Sequence, residues 1–453
     1  MSNERKLEEL AGQLRGKLVL PGDAQYDAAR RVWNGMIDKR PALIARCAGV
    51  SDVVVAVGFA RENGLPLAVR GGGHNVAGNA TCDDGVVVDL SGMKSVRVDR
   101  RRRTARAEAG LTWSEYDRET QLFGLASPGG AISMTGIAGL TLGGGFGWLS
   151  RSYGLACDNL LSADVVTADG RVLTASADEN EELFWGLRGG GGNFGVVTSF
   201  EYRLHQVDEL LAGILIHPRD AARDLLRLLA ELTVEAPDEL ASFAALLCSP
   251  DGDPIVGIYF VYHGDASEGA RLLAPIRSFG SPLVDDIGSK PYRVVQQAFD
   301  PGFAAGKRNY WKSSYLTALS DDSIDLVIDH AARAPSPLSA VAIEHLLGGA
   351  VSRVPADATA FSGRDCEYNM GVLAMWDDPA ADDPNMRWTR DLWSAARPYS
   401  SDSVYVNYMS WDERDRIENA YAAATYRRLV ELKGKVDPDN LFRLNQNIAP
   451  PSP

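Results

Sequence analysis

Over the first two hundred residues the apolar positions come in short runs, each closed by a polar or glycine-rich turn. Ser51-Asp52 precedes an apolar stretch of helical spacing, and Gly64 stands just past its end, so a capped helix is predicted over 51–63. Short strands are predicted over 65–69, 85–90, 95–98 and 104–107. Thr112 caps a predicted helix to residue 120. Apolar runs over 161–167 and 172–175 flank Asp169-Gly170, the signature of a hairpin. A short helix over 180–187 and a β-branched, aromatic strand over 196–202 complete this half. Many short strands with few helices between them read as α+β, not as a repeated βαβ unit.

Near residue 206 the pattern changes, and a second domain is expected over 207–404. Alternating runs predict sheet strands over 212–216, 254–262, 340–347 and 371–376. Helical spacing predicts covering helices over 221–235 and 322–332. A last helix is predicted over 413–433, before the turn Lys435-Val436-Asp437-Pro438.

Glycine carries the chemistry of the first half. Of 45 glycines, 31 lie in residues 1–200 and 14 in the remaining 253. They cluster at Arg70-Gly71-Gly72-Gly73-His74, Gly129-Gly130, Gly143-Gly144-Gly145-Phe146-Gly147 and Gly189 to Gly195. Each cluster adjoins strongly apolar sequence. This suits an extended ligand lined by backbone N–H groups, with phosphate cradled by glycine-rich turns. A P-loop motif is missing. Gly190-x-Gly192-x-x-Gly195 satisfies G-x-G-x-x-G, but a strand follows it where a Rossmann fingerprint requires a helix. A Rossmann-type dinucleotide fold is therefore disfavoured.

Composition narrows the remaining classes. Hydrophobic residues make up 45% and charged residues 23%, which excludes a disordered chain or a disulfide scaffold. The net charge of −14 opposes nucleic-acid binding as the main role. Five scattered cysteines fit a reducing compartment. No C-x-x-C or H-E-x-x-H is present, so no metal site is expected. The charged start MSNERKLEELAGQLRG lacks a signal-peptide core, and no run of ~18 apolar residues suggests a membrane span. A cytoplasmic monomer or homodimer is the expectation.

Taken together, the motifs resemble one family. Arg70 to Asn75, Thr135-Gly136-Ile137-Ala138-Gly139 running on to Gly147, Tyr153-Gly154-Leu155 with Asp158-Asn159, Gly189 to Gly195, Tyr405-Val406-Asn407-Tyr408, and Asp437-Pro438-x-Asn440-Leu441-Phe442-Arg443 are similar to the berberine-bridge-enzyme-like FAD-linked oxidases of the vanillyl-alcohol-oxidase superfamily. The resemblance implies a two-lobed PCMH-type FAD-binding domain from 1–206 and 405–453, and an α+β substrate domain over 207–404 with an antiparallel sheet covered by helices. It implies cofactor contacts from Arg70, Gly71, Gly72, Gly73, His74, Asn75, Gly130, Thr135, Gly136, Gly139, Gly143, Gly144, Gly145, Tyr153, Asp158, Asn159, Gly190, Gly192, Asn193, Gly195, Val196, Asn407, Asn445 and Asn447. The diphosphate is expected against Arg70–Asn75 and Gly143–Gly147, with the adenine end near Gly190–Val196. His74 is the expected covalent attachment point of the flavin. Many relatives add a cysteinyl bond, but Ile132 occupies that position, so one bond is expected, with a lower flavin potential than in doubly linked relatives. Gly130 stands where the family gates oxygen, which favours an oxidase.

For the reaction, the resemblance puts Tyr408 forward as base, and an extended Tyr405–Tyr408 segment would place Tyr405 and Asn407 on one side and Val406 and Tyr408 on the other. Lowering a tyrosine from ~10 to ~7–8 would require ~3–4 kcal/mol of differential stabilisation. Plant relatives carry a glutamate base after a Gly-Gly pair; after Gly348-Gly349 this chain has Arg353 at roughly that place. Glu344 and His345 precede the pair on opposite faces of a strand, so one of them is expected in the cavity. Tyr259, Tyr310, Trp311, Tyr315 and Trp376 are candidates for an aromatic substrate wall. The expected activity is oxidation of a small alcohol, sugar, amine or phenolic substrate, with O₂ reduced to H₂O₂. A flavin dehydrogenase, an oxygenating or cyclising enzyme on the same fold, and a catalytically silent flavin-binding protein are the alternatives.

Overall fold

A computed structural model describes residues 3–401 and 403–451. Three sheets organise it. The first is four-stranded, in the order Lys17–Val19, Leu43–Arg46, Val86–Asp89, Leu67–Arg70; its first pair is antiparallel and the others are parallel. The second has five antiparallel strands, Val96–Asp99, Thr104–Glu108, Val196–Arg203, Leu160–Val166 and Val172–Ser176. These two sheets share an apolar core that also draws in residues from the last fifty positions, among them Val406, Leu429 and Phe442.

The third sheet is antiparallel and eight-stranded. Its long strands are Glu209–Pro218, Pro254–Tyr262, Leu240–Cys248, Ala340–His345, Tyr368–Trp376 and Arg308–Leu316, in that spatial order. Strand side chains alternate between faces, and here the two faces have different partners. Leu246, Ile258, Tyr310, Ile343 and Trp376 pack with Leu225, Leu229, Ile324, Val327 and Leu392 of the helices Ala222–Val234, Asp321–Ala331 and Asp382–Ala395. On the other face, Phe243, Tyr259, Trp311, Tyr315 and Leu373 pack with Trp33, Phe146, Trp148 and Tyr405 from outside the sheet. The expected α+β arrangement, with helices covering an antiparallel sheet, is what this fold has.

Several local expectations correspond closely. The helix expected over 51–63 runs Val50–Glu62, and the strand over 254–262 runs Pro254–Tyr262. Thr112 accepts from the Glu115 N–H while Glu115 accepts from the Thr112 N–H, a complete capping box. Two expectations need correction. Residues 413–433 are not one helix: a 3-10 stretch, Arg414–Ala420, is followed after Tyr421 by the helix Ala423–Val436. The Tyr405–Tyr408 segment is not extended, because Val406–Tyr408 is a 3-10 turn. At three residues per turn, Tyr405 and Tyr408 come to the same side, with ring centroids 5.2 Å apart. Among the described residues no helix is long and apolar enough to cross a membrane.

Candidate active site

One large cavity, about 1750 Å³ including its mouth, lies between the small sheets and the open face of the large one. Its lining joins the turn Gly71 to Val76, the stretch Gly130 to Leu142, Gly191, Gly192 and Gly195, the Tyr405–Tyr408 turn, and Asn445-Gln446 to strand residues Phe243, Trp311, Glu344 and Leu373. The lining therefore runs continuously from the glycine turns to the aromatic strand residues and Glu344, the shape of an elongated site.

One end of the cavity is made of bare backbone. A Cβ on Gly72 would stand 2.5 Å from the Gly136 nitrogen, and one on Gly136 would meet the Gly72 nitrogen at the same distance. The two turns therefore touch through backbone alone. Gly139 also lines the cavity, and a Cβ there would meet nothing within 4 Å, so its face is open to a ligand. Among the described residues no lysine or arginine lines the cavity. A bound diphosphate would depend on backbone N–H groups for its neutralisation.

His74 lies at the end of the glycine turn and lines the cavity. Its ring stacks on Trp33, centroids 4.2 Å apart and planes 18° off parallel. Trp33 is itself fixed by its indole N–H donating to the Phe303 carbonyl at 2.7 Å. His74 Nε2 is buried and has no hydrogen-bond partner. Burial pushes the imidazole pKa down to about 4, so the ring is neutral at physiological pH. A neutral, oriented imidazole with one free nitrogen is a nucleophile-ready group. Asn445 Oδ1 and Gln446 Nε2 are likewise buried without partners at the cavity edge. These three orphaned atoms and the bare glycine walls fit an extended flavin dinucleotide.

The other end holds the acid. Glu344, on the strand Ala340–His345, is 1% exposed and lines the cavity. Its Oε1 accepts from the Tyr408 hydroxyl at 3.0 Å, and its Oε2 accepts from Asn369 Nδ2 at 2.6 Å. Asn369 is its register partner on the neighbouring strand. Burial pushes the carboxyl up to about 7, partly offset by those two hydrogen bonds. Tyr408 shifts the opposite way to a base: burial and the Glu344 carboxylate both push its hydroxyl well above 10. Among the described residues no lysine or arginine lines the cavity beside it, and its hydroxyl donates to Glu344.

The expected site residues separate into three groups. Gly71, Gly72, Gly73, His74, Asn75, Gly130, Thr135, Gly136, Gly139, Gly192, Gly195, Asn407, Asn445, Glu344 and Tyr408 line the cavity. A second group supports it from behind. Arg70 does not face the ligand space; it donates to Asp89 Oδ2 at 2.7 Å, and although burial opposes it this pairing holds the Asp89 carboxyl below its usual range. Gly143 leaves room for the Asn407 amide, Gly144 for Phe361, and Gly145 for Leu140, so the Gly143–Gly147 stretch packs the wall and only Phe146 reaches the cavity. Gly190 packs on Phe194 and Leu429, and Asn193 donates to the Gly190 and Gln446 carbonyls. Val196 and Asn447 are also outside the lining.

The third group lies elsewhere. Asp158 is ion-paired with Arg364 at 2.7 Å. Asn159 donates to the Tyr153 and Leu155 carbonyls, and Tyr153 stacks on His205. His345 points away from the cavity, beside Tyr368 and Glu367, so of the two adjacent strand residues Glu344 is the one that enters. Of the five candidate wall aromatics only Trp311 lines the cavity; Tyr310 and Trp376 alternate to the helix-covered face. Phe243, Phe299 and Phe303 line it instead, and neither they nor Trp33 and Asn369 carry a motif that would have marked them. Only the folded sheet brings two of them together: Phe243 and Asn369 are the register partners of Glu344 on its two neighbouring strands.

Comparison with known proteins places this geometry. The FAD binding domain family matches residues 41–176, and the berberine and berberine-like family matches residues 404–449. The (R)-6-hydroxynicotine oxidase of Paenarthrobacter nicotinovorans is 34% identical over 457 residues, spanning 96% of this chain and 97% of that protein. An FAD-linked oxidoreductase of Dictyostelium discoideum is 34% identical over 449 residues, spanning 98% and 97%. Among solved structures, 6-hydroxy-D-nicotine oxidase from Arthrobacter nicotinovorans matches with a TM-score of 0.89 at 31% identity, covering 97% of this chain and 98% of that one. The xylooligosaccharide oxidase of Myceliophthora thermophila shares the fold, with a TM-score of 0.85 at 24% identity over 99% of this chain and 100% of that one. A cavity walled by paired glycine turns, with a free imidazole at one end and a buried acid at the other, thus belongs to a chain that is a member of the berberine-bridge-enzyme-like family of FAD-linked oxidoreductases.

Proposed function

We propose that this protein is an oxidase whose FAD is covalently joined to His74 by a single bond, and which removes a hydride from a small molecule and passes the electrons to O₂. Residues 1–206 and 405–453 would form the lobe that holds the cofactor, and 207–404 the lobe that holds the substrate. The observation that carries the reading is that His74 Nε2, buried and unpartnered, and Glu344, a buried acid, line one cavity.

When bound, FAD supplies the two-electron acceptor. The residues of this chain supply the rest. The Gly71–Asn75 turn, Gly136, Gly139, Gly192 and Asn445 would hold the dinucleotide through backbone and amide groups. His74, kept neutral by burial and oriented by Trp33, would make the covalent bond through its free nitrogen. Ile132 lines the cavity and has no thiol, so no second bond forms there. Glu344, ionised near neutral pH, takes the proton from the substrate heteroatom while a C–H bond breaks. Tyr408 and Asn369 hold its two oxygens in place. A Cβ on Gly130 would meet Leu140 Cδ1 at 2.6 Å, so this glycine makes room for Leu140 in the cavity wall.

The test is anaerobic reduction followed by mixing with O₂. An oxidase reoxidises rapidly and releases H₂O₂ in proportion to substrate consumed. Slow reoxidation with fast transfer to an artificial acceptor would make the protein a dehydrogenase.

A further inference from the structure

We propose that the substrate end of the cavity is built for a compact apolar amine, its nitrogen held by Glu344, and not for a carbohydrate. The inference deepens the function proposed above and rests on it.

The ionisable side chains lining the cavity are His74, Glu344, Tyr405 and Tyr408, among the described residues. His74 is neutral and belongs to the cofactor end. Tyr405 accepts from Asn407 Nδ2 at 2.8 Å. Glu344 is therefore the sole source of full charge in the lining, and no lysine or arginine answers it. An acid buried without a cation is complementary to an ammonium group. Its own partners leave space for one. Tyr408 and Asn369 are both neutral donors, and together they use two of the roughly four acceptor positions of a carboxylate.

The surrounding walls are apolar. Phe243 is the register partner of Glu344, and its ring lies 4.8 Å from that of Phe299. Trp311 lies 5.8 Å from Phe303 and 5.7 Å from Tyr408, centroid to centroid. Leu346 and Leu373 complete the wall. Aromatic faces attract an ammonium ion through their quadrupole and also accept the apolar body that carries it. A sugar would bring several hydroxyl groups, and each one buried against these walls without a partner would weaken binding.

The experiment uses the photoreduced holoprotein under argon, where no turnover occurs, and reads affinity by calorimetry at pH 8. The probes are N-methylbenzylamine with its neutral counterpart benzyl methyl ether, 2-phenylpyrrolidine with 2-phenyltetrahydrofuran, and xylobiose. The expected result is that at least one amine binds about tenfold or more tighter than its ether. In Glu344→Gln that gap should close to about twofold or less, because the charge is lost while the shape is kept. The wild-type gap decides the matter on its own if the variant does not fold. Equal affinities for amine and ether, failure of both amines to bind, or preference for xylobiose overturns the proposal. A holoprotein that photoreduces normally yet fails this panel refutes the substrate class alone, whereas a chain that retains no flavin refutes the reading beneath it.

Discussion

Replacing Glu344 with glutamine tests the proposed base with little disturbance to the fold. The carboxamide has the shape of the carboxylate, and its oxygen can still accept from Tyr408, now at 3.0 Å. Its NH₂ would face Asn369 Nδ2, which today donates to Glu344 at 2.6 Å. Asn369 Oδ1 has no partner, so an amide flip gives the new donor an acceptor. What the variant loses is the proton acceptor. Positioned general bases contribute ~10²–10⁴-fold, or ~3–5 kcal/mol of barrier. The pH profile adds a second, independent signature. Glu344 titrates at about 7. About a tenth of it is ionised at pH 6 and about nine tenths at pH 8. The second-order rate constant for flavin reduction, measured by anaerobic stopped-flow bleaching, should therefore rise across a limb centred near 7 in the wild type. In Glu344→Gln it should fall at least ~10²-fold at pH 8 and lose that limb. A variant that reduces its flavin within about threefold of wild type, with the limb intact, would remove Glu344 from the reaction.

Three further outcomes follow from the geometry. Trp33→Ala removes the ring stacked on His74 and should lower the fraction of acid-stable flavin several-fold, while FAD still binds without a covalent bond; fluorescence of the denatured gel band reads this, and unchanged attachment would refute the positioning role. Gly72→Ala drives a Cβ into the Gly136 backbone and should cost ~1–3 kcal/mol together with flavin uptake, whereas Gly139→Val, whose first side-chain atom meets nothing in the protein, should fold with a Tm near that of the wild-type apoprotein yet take up little FAD. Asp117 is buried, accepts from Gln296 at 3.1 Å, and is pushed by burial from 3.8 up to about 7, so the folded protein holds a proton that the unfolded chain releases. Stability is then lost as pH rises from near 4 through 7, by up to ~4 kcal/mol, and Asp117→Asn should raise Tm at pH 8 and not at pH 4; an equal change at both would contradict the linkage.

The glycine-walled end of the cavity was legible in the sequence because glycine clusters announce backbone approach. Gly72 and Gly136 touch through backbone, and with His74 they line the cavity. The Gly143–Gly147 cluster shows the limit of that logic. Its glycines also exist for close packing, but against Asn407, Phe361 and Leu140, and sequence does not say which surface a glycine makes room for. The strand Leu240–Cys248 was hidden by a composition of alanine and leucine, good helix formers; pairing with strands on both sides overrides that preference. Arg308–Leu316 was legible as aromatic but not in its register, which is what sends Trp311 to the cavity and Tyr310 to the core. The Tyr405–Tyr408 segment was misread as extended because a 3-10 turn changes which residues share a side, and the Tyr408 environment was hidden because burial and a neighbouring charge from a distant strand set its pKa. Glu344 raises that of Tyr408 from a strand sixty-four positions earlier.

The most direct measurement is mass spectrometry of peptides from acid-denatured, dialysed protein, alongside the same digest of His74→Ala. A single bond to the cofactor predicts an FAD mass increment and visible absorbance on the peptide containing His74, on no other peptide, and on none from the variant. Flavin recovered entirely in the supernatant, or attached elsewhere, would contradict it.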